Sequence, residues 1–299
     1  MTLIILLIVL LVERVSLQSA TWQVTRYLTW YTNKYSKKIK ANDQLSLLLF
    51  VVLPSVLIGI LLFIFDSRLI DFIVSLFVLA VCIGHQPIRR YYRQYLNAIQ
   101  RGDTEAASIL HYKLMGEPVE DDCSGEGSET TEESIGETLI WLNLQYYAAP
   151  IFYFVVLGVP GVVLYSTILF LADSKFIGSL EDENNQATLV KWHEWVMWIP
   201  ARLVSLGYMF VGHFGNGLEA WLKYSANLAK SSKFVVTKVA LASEGLVNED
   251  NNKSDKTESE AKEPQRLLNN AEVMVRLAKR NMVLFLVVVA LLTLYGQIV

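Results

Sequence analysis

The stretch WVMWIPARLVSLGYMFVGHF, Trp195–Phe214, is apolar enough for a bilayer yet carries Arg202. A charge at the centre of a membrane span costs about 2.5 kcal/mol or more, so Arg202 needs a partner, a route to the interface or a role. Glu13 and Arg14, which close the apolar opening MTLIILLIVLLVER, raise the same question, as does Asp71 near the start of LIDFIVSLFVLAVCIG. Two readings of Arg202 are open. In one it snorkels to the head groups from the start of a helix whose first turn holds Pro200, where the missing N–H is harmless. In the other it turns inward and its planar fork of donors pairs with Asp71 or holds a phosphate or carboxylate head group. Arg202, Pro200, Asp71, Arg14 and Glu13 are therefore the candidate ligand-binding or packing positions. Nothing else reads as a catalytic set. His85, His111, His193 and His213 have no partner at metal-ligand spacing, and there is no P-loop and no dinucleotide fingerprint. The expectation is no catalytic group, no metal and no cofactor. Tyrosines and arginines interleave at 89–95, but on a membrane flank that pattern anchors the interface and does not bind nucleic acid.

The elements that position these residues are membrane helices. The 299-residue chain is 53% hydrophobic and 18% charged, against about 25% charge in a soluble domain. Its apolar residues come in blocks that predict spans over 1–12, 45–65, 69–84, 146–172, 201–214 and 282–298. The first block lacks the basic n-region and the small-x-small site of a signal peptide. At about 18 Å it enters the bilayer incompletely or is lengthened by residues beyond Arg14. Cys82 and Cys123 give no disulfide framework.

Lysine and arginine placement sets the orientation. Crossing at every predicted span puts 13–44, 85–145 and 215–281 on the basic, cytoplasmic side and 173–195 on the other. Within the cytoplasmic loops, HQPIRRYYRQYLNAIQRGDTEAASILHYKL reads as a helical hairpin turning at RGD, with Asp103 as N-cap of its second helix. Residues 117–137 and 248–264 are polar and acidic enough to read as flexible linkers. LLNNAEVMVRLAKR runs as a helix into the last span. Val24, Tyr27, Leu28, Tyr31 and Tyr35 form an amphipathic stripe suited to the anionic leaflet, with Lys34, Lys37 and Lys38 facing water.

WIPARLVSL, Trp198–Leu206, resembles the PARL signature of the CbiB/CobD membrane proteins of cobalamin synthesis. Five further pieces resemble one branch of that superfamily, the AmpE family: MTLIILLIVLLVER, YYRQYLNAIQRGD, ETLIWLNLQYYAAPIFYF, IPARL with GHF at 212–214, and LLTLYGQIV. The resemblance implies an inner-membrane protein of Gram-negative bacteria associated with β-lactamase induction. It also implies a modulator or accessory of the cytoplasmic muropeptide amidase AmpD, with a muropeptide as possible ligand. Of the cobalamin enzymes' pattern, Pro200 to Leu203 carries over, whereas their longer glycine- and proline-containing segments and acidic substrate-site motifs are not visible. The expectation is one all-α polytopic membrane bundle over 1–299 with short cytoplasmic helical loops, in contact with lipid and not with nucleic acid, acting as a non-enzymatic signalling modulator. The rival is a membrane enzyme related to adenosylcobinamide-phosphate synthase, acting on a phosphate-bearing or peptidoglycan-derived substrate. A transporter would rest on Arg202 and Asp71 alone.

Overall fold

The computed structural model describes residues 2–15, 24–35, 44–65, 67–84, 86–116, 134–173, 183–227, 230–246 and 263–296. Most of the 117–137 and 248–264 stretches, together with Lys37, Lys38, Cys123 and the side chain of Arg14, lie outside the described residues. All the regular structure described is helical. In chain order the α-helices are α1 (Thr2–Val15), α2 (Val24–Tyr35), α3 (Gln44–Phe65), α4 (Arg68–Cys82), α5 (Gln86–Gln100), α6 (Thr104–Met115), α7 (Ile135–Asn143), α8 (Ala149–Leu171), α9 (Glu183–Val211), α10 (Phe214–Ser225), α11 (Ser232–Ser243) and α12 (Glu263–Leu294). A π-helical turn, Leu144–Ala148, joins α7 to α8. Four helical stretches are long and apolar enough to cross a membrane: Gln44–Phe65, Arg68–Gln100, Ile135–Leu171 and Asn269–Leu294. The last helix stops at Leu294, short of the expected 298, and Gly296 follows with φ +71°.

The chain divides into two compact units. The first holds residues 1–85, 144–200 and 285–299, the second 86–143 and 201–284.

The first unit is built around α8, which contacts α2, α3 and α4, while α1 lies on α4. Its core joins Leu47, Phe50 and Val51 of α3 to Ile168 and Leu171 of α8 and Leu189 of α9. The span expected over 146–172 does not run straight. At Gly158 the backbone takes φ 68° and ψ −157°, and Pro160 follows. That conformation is open in practice only to glycine. The chain doubles back there: the Tyr153 and Tyr165 rings stack with centroids 5.2 Å apart, and the Tyr165 hydroxyl donates to the Gln145 carbonyl at 2.7 Å. Twenty residues of straight helix would separate the last two by about 30 Å. Two helical arms, 149–157 and 159–171, therefore form a hairpin.

Prolines inside these helices leave carbonyls without donors, and the fold supplies replacements. A proline at i strips the carbonyl at i−4 of its N–H partner. Pro54 does this to Phe50, whose carbonyl takes the Tyr31 hydroxyl at 3.0 Å. Burial, and then the neighbouring Tyr35, push the Tyr31 pKa up, which keeps it a donor. Pro150 does it to Tyr146, whose carbonyl takes the Gly84 N–H at 3.0 Å. The same proline denies Gln145 its π-type donor, and Tyr165 takes that place. Pro200 does it to Val196, whose carbonyl takes the Tyr153 hydroxyl at 2.7 Å. In hydrocarbon an unmatched carbonyl costs several kcal/mol, so these tyrosines make the broken helices tolerable there.

The second unit packs α5 on α6, α6 on α7, α7 on α11 and α11 on α10. The expected hairpin is there. Gly102 turns it with φ +75°, and the Asp103 carboxylate accepts the Ala106 N–H at 2.9 Å. Val235, Val236, Val239 and Ala240 of α11 are fully buried. The acidic stretch ends earlier than expected. Ser134–Glu137 forms a reciprocal cap: Ser134 Oγ accepts the Gly136 N–H at 3.4 Å, and Glu137 Oε2 accepts the Ser134 N–H at 3.1 Å. Glu137 Oε1 also pairs with Lys238 Nζ of α11 at 3.1 Å, so 134–137 is packed structure.

Candidate functional site

Arg202 lies in the second unit, on α9. The 201–214 stretch is no separate helix, and Pro200 is not in a first turn: one helix runs from Glu183 to Val211, carrying Trp192, Trp195 and Trp198 as well. It is not among the four long apolar stretches. Arg202 does not snorkel. It is 7% exposed, and Nε donates to the Ser225 carbonyl at 3.1 Å. A second guanidinium nitrogen reaches the Asn227 carbonyl at 3.5 Å. Ser225 ends α10, so the cation sits on the carbonyls that a helix C-terminus leaves open, where the macrodipole favours positive charge. The arginine is turned inward, onto backbone carbonyls at the end of α10.

The other end of α10 is fixed by the second piece of the signature. The His213 N–H donates to the Ser243 carbonyl at 2.6 Å. A Cβ at Gly212 would stand 2.6 Å from that same oxygen, and one at Gly217 would stand 2.7 Å from Ser243 Oγ. The arginine of IPARL and the glycine of GHF thus hold the two ends of one helix. Elsewhere on α9, Asn281 of α12 donates to the Val204 carbonyl at 3.1 Å and presses against Gly207, leaving no room for a Cβ there.

The remaining expected positions fall in the first unit. Asp71 is exposed in the first turn of α4, where a carboxylate complements the helix N-terminus. Glu13 is 7% exposed, and its Oε1 accepts the Tyr147 hydroxyl at 2.8 Å. Gly84 makes room for it: φ is +82°, and a Cβ would stand 3.0 Å from Glu13 Oε1. Gly84 is also a wall of a recess at the base of the α8 hairpin. Cys82, Tyr146, Tyr165, Ser166 and Asp173 line it too, with Thr25 of α2. The sequence reading missed Tyr146, Tyr147, Ser166 and Asp173. The signal available was the proline pair of YYAAP and GVP, which marks a broken helix, and broken helices at membrane depth line cavities. Chemically the recess offers one carboxylate, that of Asp173, and hydroxyls, suited to a small polar or cationic ligand. No cluster able to hold a metal ion occurs among the described residues.

The family described as "Regulatory signalling modulator protein AmpE" matches residues 1–299. The chain belongs to the AmpE family. A protein named AmpE from Shigella flexneri is 28% identical over 76% of this chain and 75% of its own length. A protein named cobalamin biosynthesis protein CobD, from Chromobacterium violaceum, is 24% identical over 51% of this chain and 48% of its own. No solved structure matches. Together with the long apolar helices, family membership makes this chain a multi-pass membrane protein of the AmpE family.

Proposed function

We propose that this protein is a non-enzymatic signalling modulator of the bacterial inner membrane that reports cell-wall state and sets β-lactamase induction. The full-length match to a family described as a regulatory signalling modulator carries this reading. A second helical unit, 86–143 with 201–284, is joined through α9 and α12 to the unit that holds α3 and α8, which suits a protein that passes a signal between membrane and partner. The partner is the muropeptide amidase AmpD or another cytoplasmic signalling protein, and the ligand a muropeptide. The recess beside Glu13 is the proposed sensing site for one small polar or cationic group of that ligand, not the whole molecule, while Arg202 and Pro200 serve packing. The test is induction by a β-lactam in cells lacking the gene and complemented with wild type, Glu13→Gln or Tyr147→Phe, with membrane abundance followed beside it. Altered induction at wild-type abundance is the expected result. Unchanged induction in the gene deletion itself would end the reading.

The similarity to CobD supports a second reading, a membrane enzyme on a phosphate-bearing or peptidoglycan-derived substrate. Turnover of such a substrate by purified protein in lipid, abolished by Glu13→Gln, would decide for it.

A further inference from the structure

We infer that Leu144–Asp173 is a re-entrant hairpin that enters and leaves the bilayer on one face, the basic one. The recess at its base therefore opens towards the cytoplasm, and Glu183–Pro200 lies on that side, not outside. The inference deepens the signalling reading, because a ligand of the recess would be drawn from the cytoplasm.

Four observations lead to this. First, the two ends of the segment meet: Tyr146 and Asp173 line one recess, and Tyr165 bonds to Gln145. Second, neither arm is long enough to cross. Residues 149–157 extend about 13 Å and 159–171 about 20 Å, against a hydrocarbon thickness of about 30 Å.

Third, the hairpin can be placed against a helix that does cross. Its base packs on Leu47, Phe50 and Val51, at the start of α3. Its tip reaches the middle, where Ser55, in the middle of α3, donates to the Pro160 carbonyl at 2.7 Å. Gly59 lies one turn further, with its Cβ position 3.6 Å from the Pro160 ring. Beyond the tip the far half of α3 is uncovered: Leu57, Ile60, Leu61, Phe63 and Ile64 are all exposed. The same holds for α4, buried at Leu79, Cys82 and Ile83 near the base and exposed at Leu69 and Ile73. Irregular backbone at membrane depth survives only where protein covers it, and Ser55 and Tyr165 provide that cover.

Fourth, the charges agree. A full crossing at 146–172 would put Lys175 and Lys191 outside and would then need the charged α9 to cross back. With a re-entrant hairpin no return crossing is needed. All but Arg68 of the 26 lysines and arginines then fall on one side, as the positive-inside rule requires.

The test is single-cysteine labelling by a membrane-impermeant maleimide in right-side-out and inverted vesicles, with Cys82 and Cys123 replaced by serine. Ser67→Cys marks the α3–α4 turn and Glu105→Cys the opposite face. Ala187→Cys and Trp195→Cys, both at exposed positions of α9, report the new assignment. The expected result is labelling of Ser67→Cys in right-side-out vesicles, and of the other three in inverted vesicles alone. Labelling of Ala187→Cys and Trp195→Cys alongside Ser67→Cys overturns the hairpin inference and leaves the signalling reading standing. Ser67→Cys and Glu105→Cys on the same face would overturn the arrangement of spans itself.

Discussion

Arg202 shows how one side chain changes meaning with its surroundings. As an anchor it would tolerate lysine, and as a ligand holder it would not. Bound to the carbonyls of Ser225 and Asn227, it behaves as a C-terminal cap for α10. Hydrogen bonds from a charged group contribute about 1.5–3 kcal/mol each way they are lost. Arg202→Met is therefore expected to lower stability by about 2 kcal/mol, with Arg202→Lys between it and wild type because one ammonium fits two spaced carbonyls poorly. Unfolding of the detergent-purified variants measures this. Normal stability with lost signalling in both variants would restore the recognition reading. His111 on α6 gives a second residue-scale prediction. Burial, and then the charge of Lys233, lower its pKa from 6.5 to about 4, and its ring sits 3.0 Å from Thr138 Oγ1. The unfolded chain binds the proton more readily between those values. Stability from this group is thus complete above pH 6.5 and is lost as pH falls towards 4. Melting temperatures between pH 7 and 4 should fall less steeply for His111→Gln than for wild type, and equal slopes would refute the assignment.

At the scale of elements, proline and tyrosine work as pairs. If Tyr153 serves the carbonyl that Pro200 strips of its donor, the two residues are coupled. Tyr153→Phe should cost about 1–3 kcal/mol in wild type, the penalty of a carbonyl left unmatched. In a Pro200→Ala background the helix N–H returns, and the same change should cost about 1 kcal/mol less. A double-mutant cycle by unfolding in detergent reads the coupling, and strict additivity would show that the pairing carries no energy. The hairpin tip gives a sharper test. Gly158→Ala forces a Cβ into φ 68°, ψ −157°, which should destabilise by more than about 1 kcal/mol and lower membrane abundance. Gly59→Ala, in ordinary contact with Pro160 at 3.6 Å, is the mild control. Equal tolerance of both would mean that the helix can straighten.

For the whole molecule, the uncovered half of α3 is the feature to explain. A run of exposed Leu57, Ile60, Leu61, Phe63 and Ile64 would be an aggregation hazard in water, and lipid removes it. A spin label at Ile60→Cys in reconstituted protein should relax with dissolved oxygen and ignore an aqueous nickel complex. Quenching by the nickel complex would place this half outside hydrocarbon. The recess belongs to the opposite half of the same unit, where Glu13, Gly84 and Tyr146 gather at the helix ends. Short apolar arms and polar side chains at their base are the composition expected of a cavity at the membrane edge.

Much of this protein follows from sequence alone, because apolar blocks of bilayer length can be little else. The helical class, the membrane setting, α3 from Gln44 to Phe65, the Asp103 cap and the running of 267–280 into the last helix were all readable. Local chemistry decides each: block length, a short carboxylate before a helix, an unbroken helical period. The amphipathic stripe on α2 was readable in part. Leu28 is buried and Tyr31 stacks on Phe50, yet Tyr27 is half exposed, because packing on α3 selects a narrower face than hydropathy does. What sequence left open depends on partners distant in the chain. Hydropathy measures the length of 146–172 but not its direction, and the reversal at Gly158 needs Ser55 and Tyr165 to satisfy the broken backbone. Arg202 could be weighed against a bilayer only while its neighbours were unknown. The carbonyls at the end of α10, more than twenty residues on, decide what it holds.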